Sequence, residues 1–307
     1  MDGLTRGYLG WCLKHPLEAA FHTVRWMNVD ADAQQRTMLY NSVMGLPDRV
    51  AVRFAEEIAY LESKGAIDVF PYETVRDRLS VESGMAGRFP YVLHGGMRLY
   101  YPKGVSPQGA RTGYGALVND EGILGTGVRR CSPHSYVSAD FGVDPGSVVV
   151  DVGSAEGLFA LNYVREARQV YLFECERRWI RPLEMTFAPF GDKVRIVNKF
   201  VSDRTCGRET RLSDALRQMP EDASLFVKLD VEGAERQILG ASIDFLKRRK
   251  TKIACCAYHR QDDAEVLSRL LEEAGFRVSY SDGWMLPGLG GMHYPYFRRG
   301  VIRAVNG

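Results

Sequence analysis

Beyond residue 145 the chain alternates short apolar runs with amphipathic stretches. The apolar runs are centred on Val149, Tyr171, Ile196, Val227, Ala254, Val278 and Ile302, each bounded by glycine, proline or charge. Unbroken runs of this kind predict strands buried on both faces of a sheet. Helical stretches fit between the first five strands and again over residues 263–274, where Gly275 supplies the stop. Such alternation predicts a doubly wound α/β sheet. Residues 281–298 are instead rich in glycine, proline and aromatics, so the final strand is expected to return antiparallel.

The first half follows other patterns. Over residues 47–64 the signals for one helix agree: Pro47 at the first turn with Asp48 beside it, Phe54, Ile58 and Leu61 on one stripe, and Gly65 as the stop. Residues 31–44 and 72–81 read as further helices. YVLHGGMRLYYP, residues 91–102, predicts a hairpin turning at Gly95-Gly96. Residues 104–127 are glycine-rich and aperiodic, which predicts loops with short strands. The expected organisation is a helical region over 1–88, a hairpin and loop extension over 89–145 on the acceptor side, and a ligand-binding sheet domain over 146–307.

The chemistry starts at SVVVDVGSAEG, residues 147–157. A buried strand ends in Asp151, Gly153 and Gly157 allow a tight turn, and a helix is expected over 156–165. That unit places a small ligand at the carboxyl edge of the sheet, although an ordinary α/β glycine turn looks the same by itself. A second strand, QVYLFECE, carries Glu174 near its end, about 20 residues after the turn, where an acid accepts hydrogen bonds from ribose hydroxyls. The G-x-G-x-x-G spacing of a dinucleotide site is missing. Asp151 and Glu156 suit a cation better than a diphosphate. S-adenosylmethionine, with a ribose, an ammonium, a sulfonium and no phosphate, meets these terms.

Further motifs follow in order: FVSD at Phe200, KLDVEGAE at Lys228, AYHRQDD at Ala257 and GVIRAV at Gly300. With DVGSAEG and Glu174 they make residues 91–305 resemble the FkbM family of S-adenosylmethionine-dependent methyltransferases, KLDVEGAE being the most specific. Cys175 departs from the proline frequent after the acid in that family, and Ser154-Ala155 from a small-plus-Asn pair. The resemblance implies a class I methyltransferase (Rossmann-like) seven-stranded sheet, with S-adenosyl-L-methionine held by Asp151, Gly153, Ser154, Glu156, Gly157, Glu174, Ser202, Asp203 and Asp230. It favours His134 and Tyr136 at the cofactor's entrance. Ser202 and Asp203 are expected at the adenine or in an ordinary turn.

Asp230 is expected to end the fourth strand and His259 the fifth, both facing the transferred methyl group. Methyl transfer to an alcohol needs a group that takes its proton. His259 is the expected base, because an imidazole is partly neutral at working pH. Asp230 would orient that ring or the acceptor hydroxyl. Helix capping by Asp230, Glu232 and Glu235 is the plainer alternative, as is a backbone-satisfied His259. Asp262 and Asp263 read as helix N-caps, and Lys228 as a structural ion pair or a pocket residue. No metal is expected, since one clear carboxylate faces the histidine and imidazole is a poor magnesium ligand. For the acceptor, Trp284, His293, Tyr294, Tyr296 and Phe297, with Tyr100 and Tyr101, offer faces suited to sugar rings, and Glu232 is a further candidate contact. Arg298 and Arg299 suit an anionic group.

Composition narrows the setting. The 307 residues, 45% hydrophobic, fill a substantial core. A net charge of +2 argues against nucleic acid or an anionic membrane as the main partner. Cys12, Cys131, Cys175, Cys206, Cys255 and Cys256 lack metal spacing and suit a reducing cytoplasm. No apolar run approaches the roughly 18 residues of a spanning helix, and the first residues make no convincing signal peptide. The expected function is O-methylation of a carbohydrate hydroxyl (polysaccharide or nucleotide sugar) or of a glycosylated natural product, in the cytoplasm, with homo-oligomerisation left open. The alternatives are a nicotinamide-dependent oxidoreductase, against which the missing glycine fingerprint counts, and a non-catalytic partner, against which intact Asp151, Glu174, Asp230 and His259 count.

Overall fold

The computed structural model describes residues 33–71, 81–121, 132–220, 222–287 and 292–307. The helix expected over 72–81 falls almost wholly outside them, as do Cys12 and Cys131.

Seven strands form the main sheet: β4 (Val148–Val152), β5 (Gln169–Phe173), β6 (Val194–Val197), β9 (Leu225–Leu229), β10 (Thr251–Cys256), β11 (Arg277–Tyr280) and β12 (Val301–Val305). Their order is β11-β12-β10-β9-β4-β5-β6. Strands β10, β9, β4, β5 and β6 run parallel, while β12 lies antiparallel between β11 and β10. All the expected strand centres lie inside these strands. Alternate residues feed two cores: Val148, Val150 and Val152 pack on one face of β4 and Val149 on the other. Both faces are covered, which is why the strand carries no polar alternation. A two-stranded ribbon, β7 (Phe200–Val201) with β8 (Glu209–Thr210), lies outside the sheet.

Helices α5 (Leu158–Tyr163) and α6 (Arg177–Phe187) supply the core that contains Val149. The opposite core takes α7 (Leu212–Ala215), α8 (Glu235–Leu246) and α9 (Asp263–Glu273). Helix α9 ends before Gly275, at φ +90°. Its expected caps are used otherwise. Asp262 makes no capping bond, Asp263 accepts the Arg260 amide at 2.7 Å just before the helix, and both pair with Arg236, at 2.6 Å each.

The early hairpin forms as β2 (Phe89–His94) and β3 (Met97–Tyr100), with β1 (Ser83–Ala86) added at its edge. One expectation fails between them and the sheet. Residues 104–121, read as loops, contain the helix α4 (Pro107–Glu121). Ser106 Oγ accepts the Gly109 amide at 3.0 Å and Pro107 fills the first turn, a Ser-Pro start signal present in the sequence. The helix survives Gly109, Gly113 and Gly115, each costing about 1 kcal/mol, because Ala110, Tyr114 and Val118 bury one stripe. A buried large side chain returns about 1.5–3 kcal/mol, so packing wins. His94 joins these parts, with Nδ1 2.9 Å from the Tyr114 hydroxyl and Nε2 3.3 Å from Asn162 Oδ1 on α5.

Residues 33–65 form α1 (Ala33–Met44), α2 (Asp48–Ala51) and α3 (Ala55–Lys64). A 3₁₀ turn at Val52–Phe54 breaks the one expected helix in two. Leu39, Val43, Phe54 and Leu61 pack with Leu286 and Phe297 from the aromatic loop before β12. No helix among the described residues is long and apolar enough to cross a membrane.

Candidate active site

The carboxyl ends of β4, β5 and β9 open onto a cavity of about 650 Å³. Its shape depends on backbone first. After β4 the amides of Gly153 and Ser154 both donate to the Phe173 carbonyl, at 3.0 and 3.1 Å. Gly153 adopts φ +77°, and a Cβ there would lie 1.9 Å from the Asp230 carbonyl oxygen. Gly157, at φ +82°, would press a Cβ to 2.8 Å from Leu183 and Phe187. Both glycines are needed where the turn meets β9 and α6. Ala155 and Glu232 hold positive φ without that freedom, at 44° and 56°.

Asp151, Gly153, Ser154, Glu156, Glu174, Asp230 and Glu232 line the cavity. Glu174 accepts the Ala155 amide at 2.8 Å on one oxygen and the Glu176 amide at 2.7 Å on the other. Burial pushes Glu174 up to about 7 despite those donors, and it does the same to Glu156. Opposite Asp151 in the β4–β9 register stands Lys228, whose Nζ is 3.0 Å from Asp151 Oδ1 and 3.0 Å from the Gly153 carbonyl. Burial opposes its charge, but Asp151, Asp230 and Glu121 outweigh burial and raise its pKa. Asp151 Oδ2 is buried with no well-formed hydrogen bond among the described residues.

Asp230 follows β9 and collects four neighbours. Tyr136 donates to Oδ2 at 2.8 Å and Tyr258 to Oδ1 at 3.2 Å. His134 Nε2 lies 3.7 Å and His259 Nε2 3.6 Å from the same carboxylate. Burial works against ionisation, yet His134, Lys228 and His259 hold Asp230 well below the ordinary carboxylate range.

Other expected residues stand elsewhere. His259 is off the cavity wall, with Nδ1 2.9 Å from Glu235 Oε1 and Nε2 3.5 Å from Glu232 Oε2. Burial favours its neutral form, but Glu235, Glu232 and Asp230 prevail and raise it to about 10. Both ring nitrogens face buried carboxylates and the ring does not line the cavity, so the structure does not bring His259 to the place expected of the base. Ligand-type atoms of Asp230, Glu235 and His259 lie within 4.8 Å of one another. Ser202 makes the plainer of its two expected contacts, a turn in which its hydroxyl donates to the Arg204 carbonyl and accepts the Arg204 amide. Neither Ser202, Asp203 nor Gly157 lines the cavity.

The expected acceptor residues are not brought to the cavity either, Glu232 excepted. Trp284 lies edge-on to Phe54, with Arg299 3.8 Å over its ring. His293 and Tyr294 are exposed, and Tyr296 packs with α1 and α3. Arg298 is buried and donates to the carbonyls of Tyr258 (2.7 Å) and His259 (3.1 Å), fixing their loop. The wall consists instead of Val69, Phe70, Leu117 and Met285, with His134 and Tyr258. Glu121, at the end of α4, also reaches it; burial and then Glu156 push its carboxyl well above the usual range. In the sequence Tyr258 is marked only by its place inside AYHRQDD. No local signal marks Val69, Phe70, Leu117, Glu121 or Met285.

No protein-family model and no curated protein matches the chain. Among solved structures it is similar to the methyltransferase FkbM from Methylobacillus flagellatus KT, at 17% identity and a TM-score of 0.43 over 55% of this chain and 46% of that one. The match thus spans less than half of that protein. A precorrin-6y C5,15-methyltransferase from Geobacter metallireducens GS-15 matches at 16% identity and a TM-score of 0.36, covering 53% of this chain and 83% of that one. Trm5b from Pyrococcus abyssi matches at 13% and 0.39, covering 74% and 63%. The sheet has the class I methyltransferase plan.

The donor set fits S-adenosylmethionine. Asp151 Oδ2 and Glu156 offer buried acid to an ammonium, and each Glu174 oxygen, with one amide on it, retains a lone pair for a ribose hydroxyl. A dinucleotide fits poorly, because Glu156 stands in the loop where a diphosphate would lie.

Proposed function

We infer that the protein is an S-adenosylmethionine-dependent O-methyltransferase of the FkbM kind. The buried acids Asp151, Glu156 and Glu174 around one cavity at the ends of β4 and β5 carry this reading. They select a cationic, phosphate-free ligand with a ribose. When bound, S-adenosylmethionine supplies an electrophilic methyl carbon. Glu174 takes the ribose hydroxyls, Asp151 and Glu156 take the ammonium, and Lys228 keeps Asp151 in place.

The acceptor enters past Val69, Phe70, Leu117 and Met285, an apolar wall that ends in His134 and Tyr258. That wall supports a hydroxyl on a body with an apolar face, such as a glycosylated natural product. The aromatic loop expected to stack on a free sugar lies elsewhere. Asp230 is already occupied by two phenols, so turnover is expected to survive chelation. Cys206, Cys255 and Cys256 enter no disulfide, which supports a reducing, cytoplasmic setting.

Calorimetric titration with S-adenosylmethionine and with NADPH separates this reading from the oxidoreductase. Binding of NADPH alone would sink it. Methyl transfer from the labelled cofactor to hydroxylated aromatic glycosides, polysaccharide fragments and nucleotide sugars then ranks the acceptors.

A further inference from the structure

Tyr136 and Tyr258 both direct their hydroxyl protons to Asp230. A phenol has one proton, so toward any further neighbour each hydroxyl can only accept. A neighbour that both share is His134 Nε2, at 3.2 Å from Tyr136 and 3.4 Å from Tyr258. The same nitrogen lies 3.7 Å from Asp230 Oδ2. The Cys256 thiol, with Sγ 3.7 Å away, is the one weak donor facing it among the described residues, and three acceptor oxygens outweigh that donor, so the nitrogen carries the proton. In the neutral ring the lone pair is then on Nδ1.

His134 stands in the cavity wall with its side chain 13% exposed and Phe70 stacked beside it. Its hydrogen bonds are made at the backbone amide and at Nε2; none is made at Nδ1 among the described residues. The arrangement is that of an acid–imidazole base: a carboxylate and two phenols at Nε2, and Nδ1 without a hydrogen bond among the described residues.

We propose that His134 is the catalytic base, taking the acceptor's proton at Nδ1 while Asp230, Tyr136 and Tyr258 set its tautomer. This rests on the methyl-transfer reading above. The acceptor oxygen forms its bond to the methyl carbon as the carbon–sulfur pair returns to sulfur, and the O–H proton passes to Nδ1. The ring becomes imidazolium, and its new charge is offset by Asp230 behind Nε2. Asp230, Tyr136 and Tyr258 are positioning residues in this scheme.

The first test is a long-range proton–nitrogen spectrum of the full chain, labelled with ¹⁵N-histidine and bound to S-adenosylhomocysteine. The His134 signal, assigned by its loss in His134→Gln, is expected to show the Nε2–H form once neutral. The Tyr136→Phe, Tyr258→Phe double variant should mix the two tautomers. An Nδ1–H signal in the parent overturns the proposal. The second test uses His134→Gln, whose amide can still donate toward the two phenols but offers no base. Its affinity for S-adenosylhomocysteine should stay within about twofold of the parent's, while single-turnover transfer to the best acceptor of the screen falls about 10²–10⁴-fold. Transfer at the parental rate overturns the proposal. A parent that binds no S-adenosylmethionine defeats the methyl-transfer reading itself, and the same spectrum of the ligand-free chain separates that failure from an error about the ring.

Discussion

His259 Nδ1 lies 2.9 Å from Glu235 Oε1, and both side chains are buried. The same Glu235 oxygen accepts the Val231 amide at 3.0 Å. Together they hold the turn between β9 and α8, directly behind Asp230. His259 is thus placed against an interior acid, 2.9 Å from its oxygen.

Removing the imidazole leaves Glu235 buried without its partner. His259→Ala should therefore lower stability by about 3–5 kcal/mol, measured by urea unfolding at neutral pH. The pH dependence has a definite sign. With the folded value raised from 6.5 to about 10, the imidazolium's contribution is fully present below about 6.5 and is lost as pH rises through about 10. The gap between parent and variant should narrow above that range, leaving the pH-independent cost of the lost ring. An unchanged urea midpoint at neutral pH would refute the structural role.

Glu174 presents a different case, because both oxygens already serve backbone amides. Glu174→Ala should weaken S-adenosylmethionine binding by about 1.5–3 kcal/mol in calorimetric titration, the range for hydrogen bonds to a charged group. Equal affinity in a variant shown to be folded would remove the carboxylate from the ribose site.

Glu156 and Glu174 sit near 7 because burial disfavours their charge. Their values are raised from 4.5, so their contribution to the stability of the ligand-free protein is complete below about 4.5 and lost as pH climbs through about 7. A cation reverses that balance by favouring the ionised acids. Binding of S-adenosylmethionine should release protons near pH 7 and weaken as pH falls below it. S-adenosylhomocysteine, which keeps the ammonium and the ribose, should show a similar pH dependence. Titrations in buffers of different ionisation enthalpy measure the release; no proton exchange for either ligand would contradict it.

Two glycines offer a paired test of backbone packing. A methyl at Gly153 meets the Asp230 carbonyl at a left-handed residue, so Gly153→Ala should cost more than about 2 kcal/mol. At Gly113, inside α4, an added methyl would find nothing within 4 Å, and Gly113→Ala should stabilise by about 0.5–1 kcal/mol. Thermal unfolding of both variants reads the contrast, and similar midpoints would contradict it.

The parallel sheet was legible along the chain because a strand buried on both faces must be apolar throughout, as Val148, Val149 and Val150 are. The acids Asp151, Glu156 and Glu174 were legible for a related reason: a strand end and a tight turn place nearby residues together. Helix α4 was hidden by Gly109, Gly113 and Gly115, whose cost is met by burial of Tyr114 and Val118, a gain that exists only once the hairpin is in place.

The surroundings of the two histidines lay beyond the sequence. His259 occupies the expected strand-end position, yet it packs between Glu235 and Glu232, off the cavity wall; His134, far earlier in the chain, is brought beside Asp230. The aromatic residues of the loop before β12 likewise read as a binding surface, but Trp284 and Phe297 meet Phe54 and fill a core with it. Local pattern determines which segments become strands and which acids gather at their ends, because those depend on neighbours a few residues away. Protonation state and accessibility depend on the charges and side chains that folding brings close from distant segments, and only the tertiary structure decided them.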